Sequence, residues 1–439
     1  MMKTQIFLNQ FNNEQFAATR GFAPKINQIL SNNDTKNQSV ESTTPVTISQ
    51  ISTDFIEWFI GFVDGEGNFS IKRDHNTFAF IFQIKLHIDD VSILHFIKSN
   101  LKMGNVRSYP LFCVLEISKK RDVQVLIDIF SNYPLKTTKC LNFYSWVKGF
   151  NLLQNYRITK DPNILEDIAN IKAGMNNSRT DFNLSDFSIN VTPRWFMGFF
   201  EGEGSVFVSR KDFTLSISIG QALIDEYTML KVSEFLNQLP GADLFKLNEV
   251  VKIYRTKGTP GHSRGKIALV ISQTNFLKSV IIPFFDSQQW YSKKYWDFTD
   301  FKTILSLKEI GHHYSKEGKD LIDLILSQMN NNRLSTSNQP VVNRDELNLK
   351  IQTFLNKPSN FELREGRLWI ISEARFQSEG GKSKALELLD DLGNLVKTFK
   401  SISECGKYLS ISPTSVSRLI KKAEFFTHNN KNVIIKYKT

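Results

Sequence analysis

Apolar and polar residues recur with two distinct periods between residues 53 and 301, and the same series of patterns occurs twice. From 54 to 63 an apolar, helix-length run ends in Asp64-Gly65-Glu66-Gly67. It passes into Asn68-Phe69-Ser70-Ile71-Lys72, whose period of two marks a half-buried strand. From 192 the pattern returns. Thr192-Pro193 supplies an N-cap and a proline at the first helical position, the helix ends in Glu201-Gly202-Glu203-Gly204, and Ser205-Val206-Phe207-Val208-Ser209 alternates. Each copy continues with a strand (78–88; 213–220), an amphipathic helix (91–101; 223–239), further strands (106–117; 250–271) and a helix (123–130; 274–285). Each closes on a basic-aromatic segment, Lys139-Cys140-Leu141-Asn142-Phe143 or Lys294-Tyr295-Trp296-Asp297-Phe298, ahead of another helix. This predicts an α+β fold of two pseudo-symmetric αββαββα halves produced by internal duplication.

The flanks read differently. Residues 1–50 are rich in Asn, Gln, Ser and Thr without periodicity and are expected to be a disordered leader. The halves are placed at 51–154 and 191–329, joined by a polar linker, 155–190, with a short helix at 162–173. A linker and accessory segment, 330–384, begins with a flexible boundary at 330–340, and a C-terminal module occupies 385–439. Three widely spaced cysteines among 439 residues offer neither a disulfide framework nor a zinc knuckle. No run approaches the roughly 18 apolar residues of a membrane helix, so no membrane partner is expected. The formal net charge of +11 favours a polyanionic one.

Gly61 and Gly65 lie four apart on one helix, as do Gly198 and Gly202 on the other, so each helix has a stripe without Cβ atoms. Helices packed along these stripes would bring Glu66 and Glu203 together at the negative ends of both dipoles, where a cation is needed to offset the repulsion. Hard oxygen ligands with waters completing the shell suit Mg²⁺. A calcium loop does not fit, because the twelfth positions are His75 and Asp212 instead of a bidentate Glu. Asp64 and Glu201 are expected to support the helix interface and not to bind metal.

The runs Phe59-Ile60-Gly61-Phe62-Val63-Asp64-Gly65-Glu66-Gly67 and Phe196-Met197-Gly198-Phe199-Phe200-Glu201-Gly202-Glu203-Gly204 resemble the signature of the LAGLIDADG homing endonucleases in their double-motif, single-chain form. The resemblance implies a saddle on the DNA major groove, Glu66 and Glu203 as metal ligands, and a monomer acting on a long, pseudo-palindromic duplex site. It also implies double-strand cleavage with short 3′ overhangs that promotes mobility of the intron or reading frame. Basic residues near the site polarise water in this family, and Lys139 and Lys294 occupy the matching repeat positions. Family habit, with a composition typical of AT-rich coding DNA, points to a mitochondrial, organelle-encoded protein, with the chloroplast as the alternative. An RNA maturase assisting its own group I intron is the rival reading, alone or in addition to cleavage.

Base readout is expected from outward strand residues. These are Ser70, Lys72, Arg73, Gln83, Lys85 and Arg107 in the first half, and Ser209, Arg210, Lys211, Ser216, Ser218, Gln221, Lys252, Arg255 and Arg264 in the second. Residues 395–439 hold nine Lys/Arg against two Glu, a phosphate-binding footprint. Ser401-Ile402-Ser403-Glu404 opens one helix with a capping box and Ser412-Pro413 opens the next, after a hairpin turning at Gly393-Asn394. This small hairpin and helix-turn-helix resembles the NUMOD1 module and would present Thr414, Ser415, Ser417, Arg418 and Lys421 to DNA.

Overall fold

The structure, a computed structural model, describes residues 48–183, 188–246, 250–258, 265–340, 342–377, 385–428 and 431–438. The first half runs α1 (Thr53–Glu66), β1 (Gly67–Asp74), β2 (Thr77–His87), α2 (Val91–Leu101), β3 (Asn105–Ser108), β4 (Phe112–Ile117), α3 (Lys120–Asn132) and α4 (Lys139–Thr159). The second runs α6 (Pro193–Glu203), β5 (Gly204–Val208), β6 (Leu215–Ala222), α7 (Glu226–Asn237), β7 (Val251–Thr256) and β8 (Lys266–Ile271). The helix that follows, α8, is an α turn Thr274–Phe276, a π stretch Leu277–Ile281 and a last α stretch Ile282–Asp286, and α9 (Lys294–Glu309) closes the half. The expected αββαββα order holds in both, with α4 and α9 as the further helix of each.

The two sheets are antiparallel and share one topology, β1-β2-β4-β3 and β5-β6-β8-β7. Alternation along the strands puts Phe69, Phe82, Ile84 and Leu115, or Val206, Ile217, Ile219 and Leu269, against the helices. The abundant phenylalanine accumulates there: Phe69 meets Phe82, Phe130, Phe143 and Trp146 at ring-centroid distances of 5.3–5.5 Å.

The polar linker and the expected flexible boundary are both docked. Helix α4 runs beyond the predicted boundary at 154 to Thr159, and α5 (Asn163–Ala173) leads into Met175-Asn176-Asn177-Ser178-Arg179. Helix α10 (Lys316–Leu326) leads likewise into Met329-Asn330-Asn331-Asn332-Arg333. Asn176 donates from Nδ2 to Phe69 O on edge strand β1, and Asn330 to Val206 O on edge strand β5, each at 3.0 Å. Both asparagines are left-handed at φ 54°, a conformation Asn tolerates better than most residues. The repeat therefore extends past α4 and α9, and its last motif closes a sheet edge in each half.

Beyond it lie α11 (Arg344–Leu355) and a small sheet of β9 (Phe361–Arg364), β10 (Arg367–Ile370) and β11 (Arg375–Phe376). The C-terminal module contains the expected hairpin, β12 (Leu386–Asp390) and β13 (Leu395–Phe399), and two helices, α12 (Ile402–Leu409) and α13 (Pro413–Lys422). It also contains β14 (Phe426–His428) and β15 (Lys431–Tyr437), which complete a four-stranded sheet, β13-β12-β15-β14. Leu386, Leu388, Phe399, Cys405, Leu409, Val416, Val433 and Ile435 form its own core. Among the described residues, no helix is long and apolar enough to cross a membrane.

Candidate active site at the paired motif helices

Helices α1 and α6 lie backbone against backbone. A Cβ on Gly61 would fall 2.0 Å from Trp195 O, and one on Gly198 would fall 1.9 Å from Trp58 O, so only glycine fits either position. Lower down, Gly65 and Gly202 face each other, and their added Cβ atoms would lie 3.3 and 3.4 Å from the opposite Cα. The carboxylate side chains cross the seam: Glu203 Cγ lies against Gly65 and Glu66 Cγ against Gly202. The predicted glycine stripes thus bring Glu66 and Glu203 to the joint C-terminal end of the pair.

The neighbouring acids are structural. Buried Asp64 accepts from the Lys136 and Thr137 amides, from Thr137 Oγ1 at 2.7 Å, and across the seam from Trp195 Nε1 at 2.8 Å. Buried Glu201 accepts from the Tyr291 and Ser292 amides and, across the seam, from Trp58 Nε1 at 2.7 Å. Each acid therefore pins the loop that delivers a lysine. Lys139 Nζ donates to Val63 O and Gly65 O at 2.9 and 2.7 Å, and Lys294 Nζ to Phe200 O and Gly202 O at 3.4 and 2.7 Å. Each ammonium caps the last carbonyls of a motif helix and opposes its dipole.

Burial raises the Glu66 carboxyl above its ordinary value, and the charge of Glu203 raises it further, while Lys294 and then Lys139 oppose the rise. Burial likewise raises Glu203, with Lys139 its largest opposing charge. Burial lowers both lysines. Each lysine is thus bonded to one helix and acts most strongly on the carboxylate of the other. Among the described residues, no group of three or more His, Cys, Asp or Glu gathers to cage a metal. A cleft of about 920 Å³, lined by Glu66, Lys85, His87, Arg210 and Lys293, opens at this end of the helix pair, and the two carboxylates Glu66 and Glu203 are a donor set for an ion that keeps most of its waters.

The readout candidates divide by strand register. Ser70, Lys72, Gln83, Lys85 and Arg107 lie on the outer face of the first sheet, with Gln83 and Arg107 both bonded to Glu116. Ser216, Ser218 and Lys252 lie on the outer face of the second. Ser209 and the exposed Arg210 and Lys211 follow β5 in its turn, where Arg210 pairs with Asp323. Three candidates fall on the other register. Arg73 falls on the core-side register at the end of β1, where it stacks on Phe78 and donates to His75 O. Arg255 has the same parity as the buried Val251 and is held by Glu226. Gln221 shares the parity of Ile217 and Ile219 and hydrogen-bonds Glu203, placing it in the carboxylate site. Arg264 lies outside the described residues.

In the C-terminal module Thr414, Arg418 and Lys421 are exposed on α13. Ser415 and Ser417 are engaged locally, with the Ser412 cap and with Pro413 O. What the sequence reading missed are the place of Gln221 beside Glu203 and the paired Met-Asn-Asn-x-Arg motifs; for the motifs, the identical spacing of Met, Asn and Arg after both halves was the available signal.

Residues 59–150 and 196–305 match the LAGLIDADG endonuclease family. The uncharacterized mitochondrial protein RF1 of Saccharomyces cerevisiae is 26% identical over 397 residues, 87% of this chain and 82% of that protein. The probable intron-encoded endonuclease Cox1-I1b of Schizosaccharomyces pombe is 29% identical over 194 residues, 42% of this chain and 49% of that protein. Probable intron-encoded endonuclease 3 of Neurospora crassa is 26% identical, covering 61% of this chain and 53% of that protein, so the chain spans about half the length of these two relatives. Among solved structures, the LAGLIDADG homing endonuclease I-GzeII in complex with its DNA target aligns at a TM-score of 0.53 and 25% identity, covering 63% of this chain and 99% of that one. Meganuclease I-SmaMI, bound to uncleaveable DNA, aligns in fold at a TM-score of 0.54 and 20% identity, covering 65% of this chain and 100% of that one. With two motif helices paired along their glycines, residues 59–150 and 196–305 carry the double-motif form of the LAGLIDADG homing endonucleases, that of a DNA endonuclease.

Proposed function

We propose that this chain cuts both strands of one long, pseudo-palindromic DNA site by metal-dependent phosphodiester hydrolysis. The cut leaves short 3′ overhangs and promotes mobility of the intron or reading frame that encodes the protein. The observation that carries this reading is the meeting of Glu66 and Glu203 at the end of the helix pair, each served by a buried lysine. Glu66 and Glu203 would hold the divalent cation, Mg²⁺ by the hardness and small number of its protein ligands. When bound, it supplies Lewis acidity at the phosphate and a water of lowered pKa.

The chain's own residues do the rest. Lys139 and Lys294, fixed on the helix-end carbonyls, keep positive charge beside the carboxylates and favour their ionised form. They are also our choice for polarising the attacking water. Gln221 holds Glu203 in place. The outer sheet faces lie in the major groove of the two half-sites. The C-terminal module adds a NUMOD1-like, helix-turn-helix DNA contact through α13, supported by its exposed Thr414, Arg418 and Lys421 and the basic tail around them. The likeness to the mitochondrial protein RF1 supports the same compartment for this protein.

The test is cleavage of a plasmid carrying the joined sequences that flank this reading frame, with Mg²⁺ or EDTA, by wild type, Glu66→Gln and Glu203→Gln. Metal-dependent linearisation lost in both variants is expected. Intact plasmid, with tight binding of the intron's RNA in its place, would overturn the assignment in favour of a maturase.

A further inference from the structure

The two sheets share a register, so their outer faces can be compared position by position. The first carries the row Asn68–Gln83–Glu116–Asn105 across its four strands, and the second carries Ser205–Ser218–Val270–Lys252. One step along, Lys85–Val114–Arg107 corresponds to Gly220–Ala268–Tyr254, and Ser70–Ile81 to Phe207–Ser216.

On the first face polar tips cover the apolar surface. Gln83 and Arg107 converge on Glu116, the Lys85 ammonium lies 3.9 Å above the Phe112 ring, and Ile81 is only 7% exposed. On the second face the charged tips are replaced by small residues and open rings: Phe207 is 51% and Tyr254 53% exposed. Among the described strand residues of that face, charge is confined to Lys252 and Lys266.

Guanine is read by Arg and Lys, adenine by Gln and Asn, and cytosine by Glu. A thymine offers a methyl group to apolar side chains. We propose that the second half reads its half-site chiefly through thymine methyl groups, with Phe207 and Tyr254 as the specificity-determining residues, whereas the first half reads hydrogen-bonding edges with Gln83, Lys85, Arg107 and Glu116. The proposal rests on the outer faces being the DNA-contacting surfaces. Small residues give the rings room: Phe207 stands opposite Ser216 on β6, and Tyr254 stands opposite Ala268 on β8 with Gly220 beyond. Small neighbours let a base edge approach the backbone and leave the rings as the protruding contacts.

The experiment is selection of the full chain on duplex DNA randomised over about two helical turns, with Ca²⁺ in place of Mg²⁺ to hold the complex uncut. The enriched duplex is then remade with deoxyuridine for thymidine in one half at a time, which removes only the methyl groups. Phe207→Ser and Tyr254→Ser identify the half that lies under the second sheet, because base preference changes only there; Arg107→Ala identifies the other. Deoxyuridine is expected to weaken binding about fourfold per contacted thymine under the second sheet. It should have little effect under the first, and the Phe207→Ser/Tyr254→Ser double variant should lose the sensitivity. Equal sensitivity of the halves, or none in either, would overturn the proposal while leaving DNA recognition intact. Failure to enrich any duplex would remove DNA recognition itself and this inference with it.

Discussion

The two halves agree most closely where they touch each other and differ most where they face outward. Trp58 and Trp195, Gly61 and Gly198, Asp64 and Glu201, Lys139 and Lys294 make the same contacts in mirrored positions. At the rim the match loosens. Asp225, the residue before α7, accepts from the Thr138 amide at 2.6 Å, whereas its counterparts Asp89 and Asp90 face the Lys293 side chain, and Asp89 also holds Ser335. On the outer faces of the sheets almost no side chain is shared. Contact between halves constrains both members of a pair at once, while each outer face answers to its own surroundings.

Breaking the shared centre should have the largest effect, and an equal one from either side. Gly61→Ala and Gly198→Ala each drive a Cβ into a carbonyl about 2 Å away. Each should lower unfolding free energy by about 3 kcal/mol in urea titrations. Gly65→Ala, whose nearest neighbours are 3.3 Å away, should be much milder. Unequal losses at Gly61 and Gly198 would show that the helices are not equivalent. Next come the carboxylates. Glu66→Gln and Glu203→Gln should each reduce double-strand cleavage at least about a hundredfold without changing thermal stability. Strand-resolved gels distinguish single nicks from complete loss.

The two edge motifs sharpen the comparison by stability. Arg333 bridges the buried acids Asp297 and Asp300, whereas Arg179 meets the neutral Asn142, Ser145 and Leu141 O. Arg333→Ala leaves buried Asp297 without its cation, while Asp300 keeps Arg344, and should destabilise by roughly 2 kcal/mol more than Arg179→Ala. Calorimetry of the two variants decides it. The smallest effect is on pH dependence. Metal binding needs ionised Glu66 and Glu203, whose raised values place the loss of cleavage on acidification above the ordinary 4.5. Removing the ammonium in Lys139→Met takes away a group that favours the ionised form, so residual activity should fall at higher pH than in wild type, as should that of Lys294→Met. Rate profiles between pH 5 and 9 that superpose on wild type would deny the lysines this role.

Much of this was legible in the sequence because duplication makes a weak pattern visible twice. The glycine stripes and terminal glutamates follow from spacing alone, and Asp64 and Glu201 were separable from them by position. Strand parity resolved most outer-face residues but failed at strand ends, where Arg73, Gln221 and Arg255 return toward the core side. The edge motifs were hidden by composition. Polar, asparagine-bearing stretches read as a linker and a flexible boundary, yet Asn176 and Asn330 use a tolerance of positive φ to seat an amide on an edge strand. The C-terminal strand β15 was obscured by the lysines that flank its buried Val433, Ile434 and Ile435.

The crossed indole bonds carry an evolutionary consequence. Trp58 serves the acid of the second half and Trp195 the acid of the first, so the handshake requires only that each partner bring one tryptophan and one carboxylate in the same register. A half that keeps those two residues and its glycines retains the central joint, so in an exchange of halves between related reading frames only the unmatched rim contacts, Asp225 with Thr138 and Asp89 with Lys293, would have to be refitted.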